Sequence, residues 1–256
     1  MLFTLGLCLC LCLEPPVEWQ KDRYHQTIKV QENQPIAVTN LYGDLHLRSS
    51  NLPEMEVIVN TQTLKSDPVG VKISHEVEDG VLHLHVYFPE LETVSIQRRE
   101  LLGKSRRVDL TCFLPKHVPL TITGKDGKVK GKGLDNQMAI TTKNGPVSIR
   151  NRQGAVIKTY QGAIEYFLGS SDIKGPVTFT SIVGPITYWV PVGSNMEIKA
   201  DTKGDICSDF SMKIDSSDNE MKKHATIILG SGEKKVTIGS VQGNLRIKKQ
   251  INESSY

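Results

Sequence analysis

The segment 97–107 carries five basic side chains, Arg98, Arg99, Lys104, Arg106 and Arg107. Guanidinium and ammonium groups this close together could contact anionic glycans, phosphates or lipid headgroups electrostatically. A solvated surface loop without a partner is the alternative explanation of the same composition. The sequence therefore predicts these five residues as a candidate contact with an anionic surface.

A pair of histidines, His83 and His85, lies two residues apart in an alternating segment, so both side chains share one face of a strand. A zinc site needs three or four ligands. No nearby Cys, His or carboxylate spacing supplies the others, and only His46 or His75 could be recruited by folding. We therefore expect two solvent-facing histidines, with neither a metal site nor a cofactor.

Catalytic signatures are absent from the sequence, which has no Gly-x-Ser-x-Gly elbow, no Walker-type loop and no His-Glu-x-x-His motif. Polysaccharide-cleaving enzymes of β-helical fold need acidic and basic side chains on adjacent rungs. The positions that follow the middle glycines of the repeat described below are Pro146, Ala163 and Pro185. We expect a protein that is not an enzyme.

The first thirteen residues are almost wholly apolar and uncharged, and Glu14-Pro15-Pro16 ends the run. A run of this length is too short to span a bilayer and matches the apolar region of a signal peptide. It lacks the basic residue that usually precedes that region. We expect export, and the alternatives are a misassigned start or a buried apolar strand.

Cysteine placement bears on membrane attachment and on disulfides. Cys8, Cys10 and Cys12 lie in the apolar segment, where a lipidated cysteine would tether the protein to a membrane, although each follows a leucine rather than a small residue. Alternation points Cys112 inward and Cys207 outward, so we expect two separate thiols. The net charge of +3 over 256 residues is too small to indicate a nucleic-acid partner.

A repeated phrase organises the rest of the chain: two apolar residues two places apart, then a glycine, then an apolar residue two places later. Its seven copies are Ile36–Val38 with Gly43 and Leu45; Leu120–Ile122 with Gly127 and Val129; Met138–Ile140 with Gly145 and Val147; Ala155–Ile157 with Gly162 and Ile164; Val177–Phe179 with Gly184 and Ile186; Val236–Ile238 with Gly243 and Leu245; and Met196–Ile198 with Gly204 and Ile206, which has one extra residue before its glycine. Each glycine is expected to supply a positive φ at a turn. The seven following apolar residues are expected to form one buried ladder.

Two architectures fit this repeat. One is a β-solenoid whose rungs pair in parallel, and the other is a string of hairpins folded as a sandwich. The near-constant period favours an all-β protein with a single β-solenoid domain at 24–250. An insertion at 48–119 interrupts it with alternating strands at 55–59, 69–73 and 81–86, and Asp79-Gly80 provides a hairpin turn. Residues 1–13 form the signal-like segment, 91–107 and 211–223 read as polar loops, and 251–256 is a loose tail.

Several of these segments resemble the bacterial putative-adhesin domain family, a β-helical family of unknown function. The resemblance rests on Val108–Pro115 followed by Gly127-Lys128-Val129, on Trp189-Val190-Pro191 followed by Lys203–Ile206, and on Leu229–Gly232 with the last repeat. It covers about residues 30–250. The resemblance implies a β-helical fold and an envelope or surface setting, and it supplies no catalytic residues.

Taken together, the sequence predicts a non-enzymatic, exported scaffold or adhesin-like binding protein at the cell envelope. Its partner would be a protein or glycan there. A glycan-active enzyme of β-helical fold and an intracellular scaffold are the alternatives. A polar cleft joining charged side chains of neighbouring rungs would favour the enzyme.

Overall fold

The computed structural model describes residues 18–65, 70–89, 106–216 and 222–250. This part of the chain forms an all-β protein of two large mixed sheets. Segments 1–13 and 251–256 lie outside the described residues. So do residues 91–104, which include most of the basic segment 97–107.

The ten-stranded sheet contains, in the order in which the strands pair, β1 (Trp19–Lys29), β4 (Glu54–Leu64), β7 (Arg106–Pro115), β3 (Leu45–Ser50), β9 (Val129–Leu134), β11 (Val147–Asn151), β13 (Ile164–Leu168), β15 (Ile186–Val190), β21 (Leu245–Lys249) and β17 (Ile206–Ser208). The eleven-stranded sheet contains β18 (Lys213–Ser216), β19 (Lys223–Leu229), β16 (Met196–Thr202), β20 (Lys234–Ser240), β14 (Val177–Val183), β12 (Ala155–Gln161), β10 (Met138–Thr142), β8 (Leu120–Gly124), β2 (Ile36–Asn40), β6 (Val81–Tyr87) and β5 (Lys72–Glu78).

One hydrophobic core lies between the two sheets. Alternation along each strand buries every second side chain, as in β13, where Ile164, Tyr166 and Leu168 are buried. Rings from opposite sheets meet in this core: the centroid of Tyr166 lies 4.8 Å from that of Phe179. The outward residues of the same strands are left for solvent or a partner.

Strands from β8 to β15 alternate between the sheets, and each pairs in parallel with the equivalent strand of the next repeat. The apolar residues that follow the seven glycines consequently lie in one continuous row. The row runs Leu45, Val129, Val147, Ile164, Ile186, Leu245, Ile206. All but the last are buried, so the predicted ladder is present in the order that the pairing of the strands sets.

The expectation that these glycines adopt a positive φ is wrong for most of them. Gly43, Gly127, Gly145 and Gly162 have no positive φ. They form a stack in which a Cβ on one glycine would overlap the carbonyl group of the preceding one, as at Gly127 over Gly43. Glycine is required here because the backbones approach closely, and not because of turn conformation.

A row of buried polar side chains accompanies the glycines. Thr142 Oγ1 donates to the carbonyl of Gly145 at 3.0 Å, and Ser240 Oγ donates to Gly184 at 3.0 Å. Thr202 Oγ1 makes the same kind of bond to Gly243 at 2.6 Å. These hydroxyls satisfy the carbonyl groups of Gly145, Gly184 and Gly243.

The order of the strands departs from the order of the sequence at both ends. The last pair, β20 and β21, lies between β14/β15 and β16/β17. The first pair, β2 and β3, lies between β6/β7 and β8/β9. Antiparallel strands finish the sheets beyond these points, with β4 and β1 on one sheet and β5 on the other.

The 48–119 insertion therefore extends both sheets. Its predicted turn at Asp79-Gly80 is confirmed, since β5 and β6 pair antiparallel and both turn residues have positive φ, 50° and 78°. The prediction of a loop at 211–223 is wrong in part: Lys213–Ser216 form the edge strand β18 against β19. Short strands at an edge limit pairing with other chains, and alternating residues were too few there to signal a strand.

Candidate functional site

The outer face of the ten-stranded sheet gathers basic and aromatic side chains on six neighbouring strands. In order of pairing these are β3, β9, β11, β13, β15 and β21. Their inward residues fill the core, so alternation turns the others to solvent. The sheet is a rigid support because each of these strands is hydrogen-bonded on both sides.

One outward row crosses all six strands. It consists of Arg48, Lys132, Arg150, Phe167, Trp189 and Lys248. Neighbours in the row are separated by the strand spacing of about 4.8 Å. The row places three cations side by side at one end and a fourth at the other.

A bulge in β9 shapes the start of this row. Ile149 lies opposite Gly131, but Asn151 lies opposite Leu134, so β9 accommodates one extra residue there. Gly133 adopts a φ of 70° within it, a conformation that favours glycine. Leu134 fills the core beside Gly131, where a Cβ would come within 2.6 Å of the Leu134 side chain.

The aromatic pair in the row is stacked and enclosed by cations. The ring centroids of Phe167 and Trp189 are 5.3 Å apart with an interplanar angle of 6°. The Arg150 guanidinium lies 5.2 Å from the Phe167 centroid, and Lys248 Nζ lies 5.7 Å from the Trp189 centroid. Cation–π attraction restricts both charged groups, while the outer ring faces are covered by them.

A second outward row runs parallel to the first and consists of His46, Lys130, Ser148, Glu165, Thr187 and Arg246. Glu165 is engaged by its neighbours: it accepts a hydrogen bond from Trp189 Nε1 at 3.4 Å and one from Ser148 Oγ at 3.3 Å. The remaining polar groups of this row are a hydroxyl, an imidazole and two cations. Hydrogen-bond donors and acceptors therefore lie beside the charged groups on this face.

We call the six cations of these two rows the cationic band. Its members are Arg48, Lys130, Lys132, Arg150, Arg246 and Lys248. Among the described residues none of the six forms an ion pair with a carboxylate. Glu165 is the one carboxylate on the outward positions of the six described strands.

Like charges lie directly opposite each other within the band. Arg48 is paired with Lys132. Such pairs destabilise a sheet unless an anion neutralises them. Basic side chains of β3, β9 and β11, together with Phe167, line an open groove of about 350 Å³ at this place.

None of the five residues predicted as an anionic contact belongs to the cationic band. Arg98, Arg99 and Lys104 lie outside the described residues. Arg106 is 5% exposed, and its guanidinium lies 5.4 Å from the centroid of Phe88. The contact with an anionic surface stays a prediction for all five residues.

Arg107 is half-exposed and shared by two carboxylates. Its Nε donates to Asp109 at 2.9 Å, and its Nη2 lies 3.0 Å from Asp44 Oδ2. The hydrogen bond to Asp109, aided by the charge of Asp44, raises the pKa of Arg107. The same carboxylates also accept from backbone amides: Asp109 Oδ1 from Asp44 N and Asp44 Oδ1 from Lys128 N, both at 2.8 Å.

His83 and His85 share one face of β6, with ring centroids 5.6 Å apart and an interplanar angle of 6°. No group of three or more His, Cys, Asp or Glu residues suited to a metal occurs in the described ranges. Cys112 is buried and Cys207 is exposed, and both are free thiols. Burial raises the pKa of the Cys112 thiol to about 12.

Sequence reasoning missed the cationic band. The sequence shows Lys128, Lys130 and Lys132 alternating, a pattern that is typical of a solvated edge strand, but β9 is an interior strand. The missing information is which strands flank β9, because these strands bring Arg48 opposite Lys132 and place Arg150 in the same groove. The aromatic residues Phe167 and Trp189 occupy equivalent places in successive repeats, which was a usable signal.

Comparison with known proteins gives structural neighbours and no sequence relatives. No family model matches the chain, and no curated protein matches it. A putative cell adhesion protein from Clostridium sporogenes is similar with a TM-score of 0.48 and 13% identity, over 90% of this chain and 100% of that one. A putative adhesin from Bacteroides fragilis has a TM-score of 0.39 and 14% identity, over 88% and 97%.

A putative adhesin from Parabacteroides merdae is a third neighbour, with a TM-score of 0.26 and 10% identity over 90% of this chain and 96% of that one. The descriptions of all three are consistent with the putative-adhesin resemblance of the sequence. The described part of the chain contains no helix with the length and hydropathy required to cross a membrane.

Proposed function

We propose that this protein is a non-enzymatic, exported envelope or surface protein that binds a partner in an adhesin-like manner through the outer face of its ten-stranded sheet. The observation that carries the proposal is the cationic band. Its six basic side chains share the outer surface of the six strands with one carboxylate, and none of the six forms an ion pair among the described residues. Unneutralised charge on a rigid sheet favours an oppositely charged partner.

The carboxylates near this face have other tasks, which supports binding rather than catalysis. Glycoside hydrolysis uses two carboxyl groups that flank the scissile bond. Glu165 accepts hydrogen bonds from Trp189 and Ser148. Asp44 and Asp109 hold backbone amides and Arg107.

The proposed architecture is a two-sheet β-solenoid in which each coil contributes one strand to each sheet. Its support is the alternation of β8 to β15 between the sheets and the parallel pairing of equivalent residues. The glycine stack would align the corners of successive coils. A solenoid would provide the long, flat outer face on which the cationic band lies.

Export is tested by the mature N-terminus and by accessibility. Mass spectrometry of the protein purified from its native cells is expected to show that the apolar segment 1–13 has been removed, or that one of its cysteines carries a lipid. Protease added to intact cells, or to spheroplasts for a periplasmic protein, is expected to degrade it while a cytosolic control protein survives. Recovery from the cytosol with Met1–Leu13 retained would contradict the proposal.

A further inference from the structure

We infer that the cationic band binds a linear anionic polysaccharide. The inference rests on the proposed function, because it names the class of partner for the same face. The ligand would lie across β3, β9, β11, β13, β15 and β21, with its acidic groups opposite the two rows of basic side chains.

An anionic ligand is inferred because basic side chains of neighbouring strands lie next to each other. Arg48 and Lys132 lie directly opposite each other, and Arg150 lines the same groove as both of them. Exposed lysines can spread apart in water, but Arg150 is placed over Phe167. A carboxylate or sulfate between these groups would replace repulsion with charge-assisted hydrogen bonds.

An extended polymer fits the arrangement better than one small anion. The cations begin at Arg48 on β3 and end at Lys248 on β21. Five steps between these strands span about 24 Å. The groove lies across β3, β9 and β11 and reaches Phe167 of β13, and the spacing of neighbouring strands is comparable to the length of one sugar unit.

The contacts available between the charges favour sugar over nucleotide. Single-stranded nucleic acids bind proteins by stacking their bases on exposed aromatic faces. Here the faces of Phe167 and Trp189 are used by each other, by Arg150 and by Lys248. Ser148, Thr187 and Glu165 offer hydrogen-bonding groups that suit sugar hydroxyls.

The stacked rings also prepare the band for binding. Long basic side chains lose rotamer freedom when they hold a ligand. Because Arg150 and Lys248 are already placed against aromatic rings, part of that loss has occurred before the ligand arrives. The aromatic pair therefore acts by positioning cations, without contacting a sugar face.

The experiment measures binding of the purified full chain by isothermal titration calorimetry at low salt. The probes are polygalacturonate oligomers, uncharged dextran oligomers of the same length, and single-stranded poly(dT). Polygalacturonate is expected to bind and dextran is not. Affinity is expected to fall as salt is added, because the contacts are between charges.

A charge-neutralising pair of variants locates the site. Lys130→Gln with Lys132→Gln is expected to weaken polygalacturonate binding about tenfold, the factor that corresponds to about 1.4 kcal/mol. The matched control is Lys143→Gln with Lys158→Gln, since Lys158 lies on the outer face of the other sheet and both are exposed. This control removes the same charge and is expected to leave binding unchanged.

Trp189→Leu tests the positioning role, since it removes a ring and keeps every charge. We expect weaker binding with an unchanged number of sites, and thermal melting checks that the variant is folded. Absence of polygalacturonate binding, equal loss in the two double variants, or tighter binding of poly(dT) would each overturn the inference. A negative result in the binding experiment would not change the conclusion about where the protein is located. A cytosolic location would rule out the proposed function, but it would not affect binding by the purified chain.

Discussion

Single glycines at the corners of the repeats determine how closely the strands can approach. Gly127→Ala would place a Cβ on the carbonyl group of Gly43. The carbonyl carbon and oxygen are backbone atoms, so they cannot rotate away. We expect this substitution to destabilise the protein by about 3 kcal/mol, as overpacking of a rigid site does. Urea unfolding followed by circular dichroism measures the effect.

The matched control for that prediction is Gly70→Ala. Gly70 is exposed, and a Cβ there would meet nothing within 4 Å. We expect its effect to stay within about 0.5 kcal/mol. Similar losses at Gly70 and Gly127 would show that close backbone approach is not the reason for the glycine.

The two cysteines of the described part should differ in reactivity. The thiolate is the reactive form, and Cys112 is buried with a pKa raised to about 12, whereas Cys207 is exposed. Iodoacetamide at pH 8 is expected to label Cys207 and leave Cys112 unmodified until the protein is unfolded. Peptide mass spectrometry identifies the sites, and fast labelling of Cys112 in the native state would contradict its burial.

At the scale of the strands, the row of buried hydroxyl groups contributes to stability through hydrogen bonds to carbonyl groups. Thr142→Val removes the hydrogen bond to the carbonyl of Gly145 and is expected to cost about 1 kcal/mol. Thr159 occupies the neighbouring place in the row, but its buried Oγ1 has no partner among the described residues. Thr159→Val is therefore expected to be neutral or stabilising by up to about 1 kcal/mol.

Chemical denaturation of both valine variants decides the matter. An equal loss of stability at Thr142 and Thr159 would contradict the assignment of the hydrogen bond to one and not the other. The two residues share their shape, burial and register, which makes them a matched pair.

Acidic conditions should weaken the strands near the end of the sheets. The Lys235 ammonium lowers the pKa of Glu197, with help from Lys199, and Lys223 lowers the pKa of Asp205. A lowered pKa in the folded state stabilises the protein fully above the ordinary carboxyl value, about 4.3 for Glu. The contribution is lost as the pH falls through the lower folded-state pKa.

Glu197→Gln lacks the first of these contributions and is expected to show a shallower decline between about pH 4.3 and more acidic values. Salt should reduce the difference from the wild type, since both partners are near the surface. Urea unfolding at a series of pH values measures it. Identical pH profiles for the two proteins would exclude a stabilising Glu197–Lys235 pair.

Prediction from sequence succeeded where one local rule acts alone. Alternation with a following glycine placed all seven ladder residues from Leu45 to Ile206, because both features depend only on residues a few places apart. It failed at Gly127, where the physical reason is contact with Gly43, a residue far away in the sequence. The same limit hid the cationic band, since Lys132 is basic in any strand but meets Arg48 only after pairing.

The whole molecule depends on its last strand pair to join two parts. β17 pairs only with β21 in the described sheet, and β16 is connected to β14 through β20. Deleting residues 234–250 is expected to leave segment 196–229 open to proteases while β8 to β15 stay protected. Limited proteolysis with mass spectrometry of the fragments gives the readout.

A chain ending at Gln250 is the control for that deletion. It keeps β20 and β21, and it keeps the hydrogen bonds from Gln250 Nε2 to the carbonyls of Leu168 and Trp189 at 2.8 and 3.1 Å. We expect wild-type protease resistance. Full protection of segment 196–208 in the variant that lacks residues 234–250 would contradict the bridging role of β20 and β21.

The place of β20 and β21 in the sheets has a consequence for synthesis on the ribosome. Strands β10 to β15 can assemble in the order in which they emerge, each against the strand two places before it. β16 and β17 emerge next. β16 can pair with β19, but it joins the preceding strands only through β20, and β17 joins them only through β21. The nascent chain therefore holds an unfinished edge at β14 and β15 until β20 and β21 have emerged, and an open edge of this kind is able to pair with another chain.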